Sequence, residues 1–200
     1  MSTNLLGPQN VTLEDHDANV GRLLDLEDGI IYLNNNKEAL PVLISLILEG
    51  SSGRNKVTIY SYSNEAIAKT ITAKFPNALI FALGNVDSAI MEGSRHAKNL
   101  GDQLASEIFV NTVAIQDLDI IVIGADRISI SDRKGYSRRF TEEFWNSFIS
   151  SINCYKNHNR IFLNCGSWNS DVSHYLLQIS STVVSADLVK NSLDLQITKR

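Results

Sequence analysis

The chain predicts an α/β fold: a Rossmann-like, doubly wound and mainly parallel sheet with helices on both faces. Three observations predict it. The run Ile120-Ile121-Val122-Ile123 is apolar without alternation, which suits a strand buried on both faces in the middle of a parallel sheet. Short β-favouring runs alternate along the chain with segments of helical period, the pattern of βαβ units. The central run then stops at Gly124-Ala125-Asp126, so a strand end delivers a carboxylate to the edge where open α/β sheets take their ligands. Arg127 sets a permanent cation beside it.

Residues 1–28 are polar and acidic, with Gly7-Pro8 and Glu14-Asp15-His16-Asp17; they read as a loose arm carrying a short helix near Asn19 to Leu26. Residues 29–200 read as a single domain. Ile30 to Leu33 predicts a strand. Leu40, Leu43, Ile44, Ile47 and Leu48 recur at helical spacing, so a helix spans Lys37 to Glu49. Gly50-Ser51-Ser52-Gly53-Arg54-Asn55 is a loop. A strand follows over Lys56 to Tyr62, then a helix over Asn64 to Phe75 that Pro76 stops. Ala78 to Leu83 predicts another strand. Ser88 to Leu100 predicts a helix ended by Gly101, and Gln103 to Ala105 a short extended piece. A further helix is expected over Glu107 to Gln116, with Ser106 as its N-cap. After the Ile120 to Ile123 strand and a polar segment come a helix from about Thr141 to Asn157, a strand Ile161 to Cys165, a helix Ser173 to Ile179 and a last strand Thr182 to Ala186.

Composition narrows the function classes. Two hundred residues with 44% hydrophobic and 20% charged content suit one globular core. The formal net charge of −4 gives no basic field to recruit nucleic acid or anionic lipid, so no direct nucleic-acid partner is expected. The longest apolar run, Ala39 to Leu48, is too short to span a bilayer. Residues 1–9 lack the pattern of a signal peptide, and Cys154 and Cys165 are the only cysteines. Reduced thiols and a cytoplasmic location are the expectation.

Most chemical motifs are absent. No Gly-x-Gly-x-x-Gly follows a strand, no Walker A sequence occurs, and His16, His96, His158 and His174 lack metal-site spacing. Neither a metal nor another cofactor is expected. Cys165-Gly166-Ser167 ends a strand on the ligand edge, but without an identifiable base Cys165 reads as a structural thiol. Arg133-Lys134-Gly135-Tyr136-Ser137-Arg138-Arg139 holds clustered cations that suit phosphate, though a solvated loop has the same composition.

Three blocks in order resemble one family. Val57-Thr58-Ile59-Tyr60-Ser61-Tyr62-Ser63-Asn64-Glu65-Ala66-Ile67, Glu92-Gly93-Ser94-Arg95-His96-Ala97-Lys98-Asn99-Leu100 and Gly124-Ala125-Asp126-Arg127-Ile128 are similar to segments of the alpha, beta and delta regulatory subunits of translation initiation factor 2B. The same family includes isomerases of methylthioribose 1-phosphate and ribose 1,5-bisphosphate. The resemblance covers about residues 55–190, apart from a short deletion before Asp119. It implies a ligand site formed by Ser61, Tyr62, Ser63, Asn64, Arg95 and Arg127, with Asp126 catalytic only if the chain is an enzyme. It also implies a homodimer or assembly with related subunits, and a phosphorylated sugar or nucleotide as candidate ligand.

The departures from that family bear on catalysis. Tyr62 stands where the isomerases carry a catalytic cysteine, and Gly84-Asn85-Val86-Asp87 replaces their Glu-Thr-Arg-Pro stretch with its phosphate-holding arginine. Ser131-Asp132-Arg133 and Tyr136-Ser137 replace the downstream Asn-Gly-Asp and Asn-Lys signatures. The family's N-terminal helical domain is missing or reduced to residues 1–55. A sugar isomerisation needs two proton-handling groups, and Asp126 alone is insufficient. The expectation is therefore a non-catalytic binding or assembly protein; the alternative is a diverged sugar-phosphate isomerase pairing Asp126 with Ser61, Ser63 or Cys165. Self-association is also expected from Phe140, Phe144, Trp145, Phe148, Ile149 and Ile152, which with Tyr155 exceed what one helix usually buries and so predict an exposed aromatic patch.

Overall fold

In the computed structural model, which describes residues 13–51, 53–61, 65–83, 93–113, 116–127, 137–155, 158–166, 171–189 and 192–200, the elements follow the predicted alternation. Helix α1 (Leu13–Leu24) precedes β1 (Gly29–Asn35), α2 (Ala39–Gly50), β2 (Asn55–Ser61), α3 (Glu65–Lys74) and β3 (Leu79–Leu83). Then come α4 (Gly93–Asn111), β4 (Leu118–Ile123), α5 (Ser137–Tyr155), β5 (Asn159–Asn164), α6 (Asp171–Ile179), β6 (Thr182–Val189) and β7 (Ser192–Lys199). The seven strands form one sheet in the order β3-β2-β4-β5-β1-β6-β7. All pairings are parallel except β6 with β7. The fold class is the one the sequence predicts.

Alternation along β4 explains why its apolar run is unbroken. Ile120 and Val122 enter one core with α4, α5 and α6 residues, whereas Ile121 and Ile123 enter a second core on the opposite face with α2 and α3 residues. Every residue of β4 is buried. A strand covered on both sides has no solvent face on which to alternate polar residues. Helix α2 is apolar almost all round for a related reason. It lies between the sheet and α1, and Leu23 and Leu26 join its core.

Two helical expectations are corrected. The sequence reading ends a helix at Gly101, places an extended piece at Gln103 to Ala105 and starts a new helix behind Ser106, but one continuous helix, α4, runs through all of these positions. Gly101 is buried against α5: a Cβ there would lie 2.5 Å from the Phe144 carbonyl oxygen and 2.9 Å from the Phe148 nitrogen. The glycine marks a close helix crossing and not a stop. The expected aromatic patch is reduced to Tyr155, exposed at the end of α5 and stacked on Phe109, with Phe140 and Ile149 half-buried. Phe144, Trp145, Phe148 and Ile152 are all 2% exposed or less, because α4 covers the part of α5 that the sheet does not. Asp102 of α4 reinforces this crossing by accepting hydrogen bonds from the hydroxyls of Ser147 and Ser151 at 2.5 and 2.6 Å. Strand β7 was not anticipated, although Leu193, Leu195 and Ile197 alternate with polar residues.

At the N-terminal edge of the sheet, Asp119 is fully buried and bound on both oxygens. Arg160, its register partner on β5, donates from Nε to Oδ1 at 2.8 Å and from Nη2 to Oδ2 at 2.5 Å. Arg54 Nε donates to Oδ1 at 2.7 Å, and the Ser51 hydroxyl donates to Oδ2. Arg160 Nη1 then reaches the carbonyls of Leu23 and Leu24 at 3.1 and 3.2 Å, satisfying acceptors that the end of α1 leaves open. Arg54 continues outward to Asp117 and Asp28.

Arg160→Met is expected to cost about 3–5 kcal/mol, because it leaves a buried carboxylate under-compensated. Lys69→Met, at the exposed pair with Glu65, serves as the control and should leave the urea midpoint unmoved. Gly101→Ala tests the helix crossing. An exposed helical glycine would gain from the change, but here the overpacking is expected to cost about 1–3 kcal/mol. A rise in the unfolding midpoint would show that α4 and α5 are not in close contact.

Candidate functional site

The C-terminal ends of β1, β4 and β5 meet at one edge, where the sequence places the ligand site. Gly124 takes a φ of 77°, turning the chain sharply out of β4. A 3-10 turn over Ala125–Arg127 follows. Trp145, wholly buried, donates from Nε1 to the Ala125 carbonyl at 3.1 Å, so α5 holds the turn in place. Asp126 is partly buried at the end of this central strand. Its Oδ1 accepts from the backbone N–H of Gly166 at 2.7 Å, joining the ends of β4 and β5. The Tyr62 to Asn64 loop, which the resemblance places in the ligand site, lies outside the described residues.

Beside Asp126 is a small polar cluster on the face packed by α6. Tyr32 of β1, Cys165 after β5 and Ser173 of α6 are linked by side-chain hydrogen bonds. Burial, and secondarily the Asp126 carboxylate, push the Cys165 thiol up to about 12. Burial is also the largest cause of the rise at Tyr32, with Cys165 next. Both groups are therefore neutral near physiological pH, since a low-dielectric site beside an anion disfavours a thiolate or phenolate. As a neutral thiol, Cys165 is a weak nucleophile.

The other half of this edge is built from asparagines. Asn164 donates to Asn35 Oδ1 at 3.0 Å, Asn34 donates to Ser185 Oγ at 3.4 Å, and Asn35 donates to the Asn36 carbonyl at 2.8 Å. Asn36 Oδ1 accepts from the Ala39 N–H at 2.8 Å, and the Asn36 carbonyl accepts from the Leu40 N–H at 3.3 Å. A phosphate held at a helix N-terminus needs these first amides free and, usually, glycines that let it approach. Here side chains occupy the turn between β1 and α2, and Glu38 adds a negative charge at the helix entry.

Among the expected site residues, Asp126 is thus the one whose side chain the structure describes. Ser61 ends β2, Arg95 lies in α4 and Arg127 in the turn after β4; Tyr62, Ser63 and Asn64 lie outside the described residues, as does most of the Arg133 to Arg139 segment. Sequence reasoning missed Tyr32, Ser173 and the asparagine chain. The triple Asn34-Asn35-Asn36 at a strand end was the available signal for the last. Among the described residues no group of three or more His, Cys, Asp or Glu is placed to hold a metal ion, and no helix is long and apolar enough to cross a membrane.

No protein-family model matches the chain, and no curated protein matches it. Solved structures do match in fold. An uncharacterized protein from Pyrococcus horikoshii, solved in complex with an unknown peptide, aligns with a TM-score of 0.53 at 11% identity, covering 96% of this chain and 89% of its own. A KaiC-like protein from the same hyperthermophilic archaeon aligns with a TM-score of 0.51 at 10% identity, covering 87% of this chain and 79% of its own. At these identities the likeness is one of fold: an α/β sheet domain of this architecture.

Proposed function

We propose that the chain is a non-catalytic binding and assembly module of the cytoplasm, as its resemblance to the regulatory subunits of initiation factor 2B implies. One observation carries the reading. The thiol and carboxylate that meet at the ligand edge are engaged in holding the fold, with Cys165 neutral and Asp126 bonded to Gly166. Acid–base catalysis on a sugar needs a group able to give or take a proton near working pH on each side of the reacting carbon. A thiol that burial and the neighbouring Asp126 carboxylate hold neutral does not meet that need. The turn between β1 and α2 supports the same reading, because the Ala39 and Leu40 amides at the start of α2 are already bonded to Asn36. The resemblance instead implies a phosphorylated sugar or nucleotide held by residues that include Ser61, Arg95 and Arg127.

Two measurements test this. Incubation with methylthioribose 1-phosphate and with ribose 1,5-bisphosphate is expected to give no conversion. Turnover of about 1 per second or faster, the low end of common enzymes, together with its loss in Asp126→Asn, would overturn the proposal. Alkylation by iodoacetamide at about pH 8, close to the ordinary thiol range, reads the thiol directly. Exposed Cys154 should modify in the folded protein, whereas Cys165 should modify only after unfolding. A folded protein in which Cys165 reacts first would show an activated thiol and revive the isomerase alternative.

A further inference from the structure

The buried ion pair at the N-terminal edge of the sheet lies under a helix that is not a crossover. α1 precedes the first strand, so the parallel topology does not dictate its place. Among the described side chains its apolar anchors are few. Val20 and Leu23 join the core on the α2 side, where Gly50 admits α1 closely: a Cβ there would lie 3.4 Å from Val20 and Leu24. Leu24 itself stays 47% exposed. Two polar ties add to these. Asn19 Nδ2 reaches the Leu193 carbonyl at 3.3 Å, and Arg160 Nη1 donates to the carbonyls of Leu23 and Leu24.

A fixed point follows α1 closely. Asp28 accepts from Arg54 Nη2 at 3.1 Å and lies 2.8 Å from His158 Nδ1, so the start of β1 is tied to the segments that lead into β2 and β5. Residues 25–27 connect α1 to that point. Their ion pair, Glu27 with Lys199, is exposed on both sides and adds little. Beneath the end of α1, Leu23, Leu24, Ile47, Gly50, Arg160 and Phe162 surround one crevice. The bonds from Asp119 to Ser51, Arg54 and the rest of Arg160 do not pass through α1. The helix can leave without unpairing β4 and β5.

We infer that α1 is a strap that opens as a unit while the sheet stays folded, and that Arg160 is its latch. One guanidinium holds Asp119 through Nε and Nη2 and the helix through Nη1. Because the group is planar and rigid, the bonds on one side orient it for those on the other. Closure of the strap and the central ion pair therefore reinforce each other. Local opening is confined to segments with few buried apolar contacts, and the central strands share the global stability. The closed strap hides Arg160 and the Ile47 end of α2; the open strap gives both to water.

Native-state hydrogen exchange reads the opening directly. Corrected for intrinsic rates, the amides of Gly21 to Leu26 should exchange at least about a hundredfold faster than those of Ile120 to Ile123, with little dependence on urea. Arg160→Lys keeps a cation beside Asp119 but loses the fork that spans to the carbonyls. It should raise the opening of α1 about tenfold relative to that of β4. Since that variant disturbs a buried pair, a second probe leaves the pair intact: an Ile47→Cys thiol, made together with Cys154→Ser, should be labelled at the rate of α1 opening. Exchange of α1 and β4 in one cooperative step overturns the inference. So does an Arg160→Lys protein with an unchanged ratio between the two, or an Ile47→Cys thiol labelled only on global unfolding.

Discussion

Asp119 and Arg160 are the pair on which the sheet depends. They are register partners on adjacent central strands, and Asp119 is fully buried while Arg160 is 4% exposed. An ion pair taken out of water adds stability only when geometry and further hydrogen bonds offset its desolvation. Here they do: both carboxylate oxygens are bound twice, and the guanidinium's spare N–H groups close the end of α1. The pair also limits the alternatives. A one-residue slip between β4 and β5 would set Arg160 against Ile120 or Leu118 and turn every side chain to the wrong face. Many alternatives with similar apolar content are disfavoured by one misplaced charge.

With the N-terminal edge held in this way, the opposite edge is arranged by hydrogen bonds between neighbouring strand ends. Asp126 joins β4 to β5 through Gly166, Asn164 joins β5 to β1 through Asn35, and Asn34 joins β1 to β6 through Ser185. Among the described residues, side chains thus link four neighbouring strand ends at this edge. The neutral Cys165 thiol, bonded to Tyr32 and Ser173, belongs to the same arrangement. Fold similarity to a KaiC-like protein carries no activity across, because function follows the residues at the edge and not the sheet beneath them.

Much of the architecture was legible because it follows from periodicity. The apolar run of β4, the helical spacing of α2, and Pro76 after α3 are local signals with local consequences, and each matches an element. The failures share a different cause. Gly101 has the local properties of a helix stop, but it serves a contact with residues some forty positions away, which no window along the chain displays. The aromatic residues of α5 are too many for a sheet alone, and Phe144, Trp145 and Phe148 are buried because α4 lies over them. Asp119 reads as the polar start of a strand until its partners at positions 51, 54 and 160 converge on it. At the ligand edge, Asp126 was legible from its strand. Tyr32 and Ser173 were not, since nothing in their own segments signals that three elements meet there.

The two kinds of strand pairing divide the sheet into parts with different physical demands. From β3 to β6 the pairing is parallel, and helices on both faces provide the crossovers and exclude water. The β6–β7 hairpin needs no crossover helix and carries alternating residues, with Leu193 and Leu195 turned to the core and Ser192, Asp194 and Gln196 exposed. The parallel part satisfies its backbone internally up to its margins. The hairpin extends that satisfaction by one strand and transfers the unpaired groups to β7, whose amphipathic face continues the α2 side of the core. Helix α1 meets this last strand at one point, where Asn19 Nδ2 donates to the Leu193 carbonyl, so the hairpin is tied to the helical layer as well as to the sheet.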